Sequence, residues 1–119
     1  MAKSIVLEKA IKFALRIVKL HKHLAETKKE YILSKQVLLS GTFIAKHVKA
    51  ATQAASREGF ASQMQIAMAK ASETELWLML MHEGEFLDDN MHQSINDDCI
   101  ELIKLTSSVS KTTSESLAA

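Results

Sequence analysis

Residues 6–24 read VLEKAIKFALRIVKLHKHL, and the spacing of their apolar side chains decides the fold. Val6, Ala10, Phe13, Ile17, Leu20 and Leu24 recur at intervals of four, three, four, three and four. An α-helix turns once in about 3.6 residues, so this rhythm lines up a single apolar seam of the kind that helices bury against one another in a bundle. A strand would scatter the same residues over both of its faces. A second stripe, Leu7, Ile11, Ala14 and Val18, runs beside the first. The apolar face is therefore wider than one helix pair can cover. A helix is predicted over about residues 4–25.

Three further segments repeat the pattern. Thr27-Lys28-Lys29-Glu30 has the spacing of a capping box, with Thr27 accepting from the backbone and Glu30 reaching back. A helix over about 28–55 follows, with Leu33, Val37, Gly41, Ile44, Val48 and Ala51 inward. Gly41 lies on the seam, which predicts close approach of a neighbouring helix. Ser56 is placed to cap a third helix over about 58–83, with Phe60, Met64, Ala67, Ala71, Thr74, Leu78 and Met81 inward and Ile66, Trp77 and Leu80 widening the face. Gly84 suits the left-handed residue that often closes a helix. Asp88-Asp89-Asn90 suits the start of a fourth helix over about 89–110, with Met91, Ile95, Cys99, Leu102, Leu105 and Val109 inward. The small polar tail, 112–119, is expected to fray.

The chain has no proline and only three glycines, so nothing interrupts these helices. Short connections make sequential helices antiparallel. The expected architecture is an all-α, up-down-up-down four-helix bundle forming a single domain over 1–119. The lone cysteine, Cys99, excludes an internal disulfide and points to a reducing cytoplasm. Charges within Met1–Ile11 argue against a signal peptide, and no apolar run reaches the roughly 18 residues of a membrane span, so no membrane partner is expected.

Catalytic chemistry finds little support. His21 and His23 are two residues apart, so a helix points them in opposing directions and they cannot share a metal ion. His82, Glu83, Glu85, Asp88, Asp89 and His92 gather around one loop and could hold a divalent ion weakly, although polar surface at a helix junction is the commoner reason for such a cluster. Cys99 sits on the apolar stripe with no basic neighbour, as a structural thiol would. Glu73 and Glu75 fall on different helix faces, and no phosphate-cradling glycine loop is present. The sequence predicts a protein that is not an enzyme and takes no cofactor.

The net charge of +1 conceals a sharp division. Residues 1–57 carry twelve Lys/Arg against three Asp/Glu, and residues 58–119 carry three against eleven. Three readings follow: a solvated lysine surface, a track for nucleic-acid phosphates, or a basic half that faces the acidic half of another subunit. The candidate phosphate contacts are Lys12, Arg16, Lys19, Lys22, Lys28, Lys29 and Lys35. Few aromatics accompany them, so phosphates rather than bases would be recognised.

The stretch Gln36-Val37-Leu38-Leu39-Ser40-Gly41-Thr42-Phe43-Ile44-Ala45-Lys46-His47-Val48 resembles the second-helix signature of the four-helix-bundle family encoded in intervening sequences of bacterial 23S ribosomal RNA genes. Phe60 and Ile66-Ala67 through Glu73-Thr74-Glu75-Leu76-Trp77-Leu78 are similar to its third-helix pattern, and the likeness extends over about residues 8–110. His47 stands where the family commonly has Asn, Ala50 where it often has Glu, and Phe43 where Ser is usual. The resemblance implies a four-helix bundle assembling as a ring-shaped homo-oligomer, a pentamer. It also implies kinship with the positively charged, nucleic-acid-binding accessory proteins of diversity-generating retroelements.

Overall fold

The turns between successive helices are set by local hydrogen bonds. The computed structural model describes residues 2–118. It places α1 at Ala2–Thr27, α2 at Ile32–Thr52, α3 at Arg57–Glu83 and α4 at Asp89–Ala118. The α1–α2 turn departs from the expected capping box. Thr27 Oγ1 donates to His23 O at 2.7 Å, so Thr27 ends α1 instead of opening α2. Glu30 is the cap: its carboxylate accepts from the N–H groups of Ile32, Leu33 and Ser34 at 3.1, 3.2 and 2.8 Å. One anion thereby meets three donors that a helix start leaves unpaired. The reversal falls on Lys29, whose φ of 55° is left-handed.

The expected second helix is three residues too long at its far end. It stops at Thr52, and the chain turns to bring Ser56 into an extended conformation. Ser56 Oγ accepts from Gly59 N at 3.0 Å, the predicted cap of α3. At the end of α3, Glu85 N donates to His82 O and Phe86 N to Met81 O, at 3.0 and 2.9 Å. These are the two bonds of a Schellman closure. Its left-handed residue is Glu85, at φ 68°, whereas Gly84 sits one position earlier at φ −81°. Asp88 Oδ1 accepts from Met91 N at 2.8 Å and opens α4. The tail expected to fray is helical to Ala118. Thr113 Oγ1 bonds back to Val109 O at 2.8 Å, and the Arg57 guanidinium donates to Ser116 Oγ across the bundle end.

The four helices form an elongated bundle of about 50 × 22 × 20 Å. Each helix packs on its sequence neighbours, α1 also meets α4 along the sparsest seam, and the backbones of the diagonal pairs stay apart among the described residues. All six seam residues of α1 are buried, as are Val37, Gly41, Ile44, Val48 and Ala51 of α2. In α3, Met64, Ala67, Ala71, Thr74, Leu78 and Met81 are buried, while Phe60 is half-buried. In α4 the register drifts: after Ile95, Cys99 and Leu102 the innermost positions are Thr106 and Ser110, with Leu105 and Val109 beside them only partly covered. Two successive steps of four, in place of alternating threes and fours, rotate the buried stripe. Thr106 keeps its hydroxyl satisfied on Leu102 O at 2.7 Å.

Two buried details explain the quoted second- and third-helix motifs. A Cβ on Gly41 would lie 2.9 Å from Ile17 Cγ1, so glycine is what lets α1 and α2 approach this closely. Beside it, Thr74 Oγ1 lies 2.9 Å from Ser40 Oγ and donates also to Lys70 O at 2.7 Å, joining α2 to α3 through paired hydroxyls in the core. Ser40-Gly41 and Thr74 are thus packing devices before they are anything else.

Candidate nucleic-acid interface

The sequence order of the helices converts a division along the chain into a division across the bundle. Basic α1 and α2 are adjacent, as are α3 and acidic α4, so one long side carries lysines and the opposite side carboxylates. The bundle is about 20 Å across, roughly twice the screening length at physiological salt, so each side presents its own potential.

Not every cation predicted as a phosphate contact is available on that side. Arg16 lies along the α1–α4 seam, where Nη1 meets Asp98 Oδ2 at 2.6 Å and Ser94 O at 3.2 Å, and Nη2 meets Ser94 Oγ at 2.9 Å. Arg16 thus ties α1 to α4. Lys9 does the same with Glu101 at 3.3 Å. These pairs absorb part of the charge division within one chain, an outcome absent from the three readings above. The positions that carry it are legible in retrospect: Lys9 and Arg16 are seven apart on one flank of α1, and Asp98 and Glu101 are three apart on α4. Lys12 is exposed and rests 3.5 Å from Glu8, a pairing of little energetic weight.

Lys19, Lys22, Lys28, Lys29 and Lys35 are exposed and make no ion pair among the described residues. They gather where α1 ends and α2 begins. Of the two acids among them, Glu30 is committed to backbone N–H groups and Glu26 is exposed. Lys19 borders a groove of about 570 Å³ between α1 and α4, floored by Leu20 and Ile95. Lys28 borders a larger hollow of about 850 Å³ whose other side holds Glu83, Glu85, Asp88 and Asp89. The same end of the bundle is therefore basic on one side and acidic on the other.

The histidine cluster does not converge on a metal site. His82 and His92 stack flat, with centroids 4.3 Å apart and planes inclined by 1°, and His82 Nε2 meets Asp89 Oδ1 at 2.7 Å. No group of three or more potential metal ligands comes together among the described residues. Burial holds the His92 imidazole below its ordinary pKa, and the neighbouring His82 adds to this. His21 Nδ1 meets Ser34 Oγ at 3.1 Å, and His47 Nδ1 meets Gln63 Oε1 at 2.8 Å. Cys99 is buried, its Sγ 3.3 Å from Ala71 O, and burial with the nearby Glu75 pushes the thiol up to about 12. Such a thiol carries almost no thiolate at neutral pH. Phe43 has the Lys46 and Lys70 ammonium groups 4.7 and 5.7 Å from its ring centre. No helix among the described residues is long and apolar enough to cross a membrane.

These features define a class: an antiparallel four-helix bundle with a basic side, an acidic side and a largely apolar core. Residues 2–108 match the family of 23S rRNA-intervening sequence proteins, and the chain belongs to that family. Among solved structures, it is similar to a protein of unknown function from the S23 ribosomal protein family of Bacteroides thetaiotaomicron. The two share 41% identity and a TM-score of 0.91, over 93% of this chain and 99% of that one. No curated protein matches it.

Proposed function

We propose that this protein is a non-enzymatic helical bundle that self-associates and presents its α1–α2 side to the phosphates of RNA or DNA. The observation that supports the reading is a group of five exposed lysines without an ion pair among the described residues: Lys28, Lys29 and Lys35 at the α1–α2 turn, with Lys19 and Lys22 on the end of α1 that leads into it. Phosphate binding draws its free energy from counterions released when such cations dock, and needs no base-reading side chains. The family name records an association with ribosomal RNA genes and leaves the ligand open.

The test is a fluorescence-anisotropy titration of a structured RNA at about 50 mM salt, the low-salt regime where phosphate contacts are strongest, with the Lys28→Gln/Lys29→Gln/Lys35→Gln variant alongside. The reading expects binding by the native chain and at least a tenfold loss in the variant. Equal binding by both moves the site elsewhere, and binding by neither rejects it.

A second reading is that the charged sides serve assembly alone, as a structural or protein-interaction bundle. It is favoured by large aliphatic side chains left half-exposed on α1 and α3. It predicts a discrete oligomer by light scattering, weakened by salt, with no affinity for nucleic acid.

A further inference from the structure

Two helix faces that the bundle leaves uncovered are complementary to each other. On α1, Ile11, Leu15 and Val18 point away from the core and are 46 to 55% exposed. Leu15 and Val18 lie within the sequence Lys12-Phe13-Ala14-Leu15-Arg16-Ile17-Val18-Lys19-Leu20-His21-Lys22, and Ile11 immediately precedes it. On α3, Leu76, Met79 and Leu80 point outward and are 39 to 46% exposed. They lie within Glu73-Thr74-Glu75-Leu76-Trp77-Leu78-Met79-Leu80-Met81-His82-Glu83. Lys12 and Lys22 are ten residues apart, as are Glu73 and Glu83. Lys12 and Lys22 therefore bracket Leu15 and Val18, and Glu73 and Glu83 bracket Leu76, Met79 and Leu80, each over about 15 Å of helix and with the same angular offset around the axis. One face is an apolar strip with lysines at its ends, and the other is an apolar strip with glutamates at its ends.

α1 and α3 are diagonal in the bundle, and these residues face away from its core on both helices, so one chain cannot satisfy the match internally. The existing partners of these charges are weak and replaceable. Lys12 pairs with exposed Glu8 at 3.5 Å and Glu73 with Lys70 at 3.8 Å, both within one helix. Exposed aliphatic strips of this kind mark contact surfaces when they are rimmed by charge. A basic rim meeting an acidic one also fixes register and excludes the like-with-like pairing of two α1 faces or two α3 faces.

We propose that the α1 face of one copy of this chain docks on the α3 face of a second copy, with Leu15 and Val18 against Leu76 and Leu80, and Lys12 and Lys22 against Glu73 and Glu83. This rests on the self-association in the proposed function and specifies its surfaces. The contact is heterologous, since each copy offers one face of each kind, so it propagates from subunit to subunit. Lys28, Lys29 and Lys35 stay outside it and remain available to phosphates.

The test is size-exclusion chromatography with light scattering on four chains, each checked for helicity by circular dichroism: native, Lys12→Glu/Lys22→Glu, Glu73→Lys/Glu83→Lys, and all four substitutions together. The proposal expects an assembled native chain, dissociation of each double variant at concentrations where the native chain is assembled, and reassembly of the quadruple variant, in which the rims are exchanged. A native chain that is assembled along with both double variants overturns this pairing of faces and leaves self-association standing. A quadruple variant as dissociated as its parents also overturns the pairing. A native chain that is monomeric at every concentration overturns both.

Discussion

Gly41 sits where two opposing effects can be weighed. Glycine inside a helix costs about 1 kcal/mol relative to alanine, so Gly41→Ala should stabilise α2 by that amount in isolation. In the bundle the new methyl would lie 2.9 and 3.1 Å from the two γ-carbons of Ile17. Ile17 is fully buried and β-branched, so it has little freedom to turn aside. Overpacking of this kind costs about 1–3 kcal/mol, which outweighs the propensity gain. Urea unfolding of Gly41→Ala should show a loss of about 0.5–2 kcal/mol, abolished when the same change is made in an Ile17→Ala background. Glu85 offers the reverse case. Its left-handed φ of 68° costs an L-residue about 1–2 kcal/mol. Glu85→Gly removes that strain against a smaller entropic cost of about 0.5–1 kcal/mol, and its urea midpoint should rise. The sequence places a glycine at 84, one residue from where the backbone needs it. Composition marks the turn, but only backbone geometry identifies which residue takes the left-handed position.

At the scale of elements, the helices and their inward faces were legible because burial against neighbours imposes a period of three and four residues. That rule fails at Met91, expected inward but exposed at the start of α4, and again beyond Leu102, where the buried stripe runs onto Thr106 and Ser110. Hydroxyls that bond within their own helix can be buried without an apolar signature, which hydrophobic periodicity does not detect. The α1–α2 boundary departs from the sequence expectation for a related reason: Thr27 and Glu30 fit a capping box and equally fit a carboxylate that caps three N–H groups directly, which is the arrangement found. The α3–α4 junction carries a pH prediction. Burial first and His82 second lower the pKa of His92, with Asp89 and Glu83 opposing. As pH falls through the ordinary histidine value of about 6.5, the unfolded chain takes up the proton before the folded one does. Stability from this residue is therefore fully present above that pH and declines below it. Urea midpoints measured from pH 8 to pH 5 should fall on the acid side, and His92→Gln should flatten the decline. A native profile no steeper than the variant's contradicts this account of the junction.

For the whole molecule, the charge division was visible in the sequence, but its partition was not. Arg16 and Lys9 satisfy acids on α4, while the lysines around the α1–α2 turn do not. Deciding between them requires knowing that α1 and α4 are neighbours, a contact between residues some eighty positions apart. The partition leaves three to five lysines for phosphates, depending on whether Lys19 and Lys22 are covered by a second copy. It can be read as a number. The affinity of the native chain for a duplex is measured by anisotropy over a series of salt concentrations, and log Kd is plotted against log salt. Each phosphate neutralised on B-form DNA contributes about 0.9 to the slope, so three to five contacts predict a slope of magnitude about 2.5 to 4.5, with affinity falling as salt rises. Binding that is indifferent to salt, or no binding at the lowest salt, would contradict a basic side built to hold phosphates.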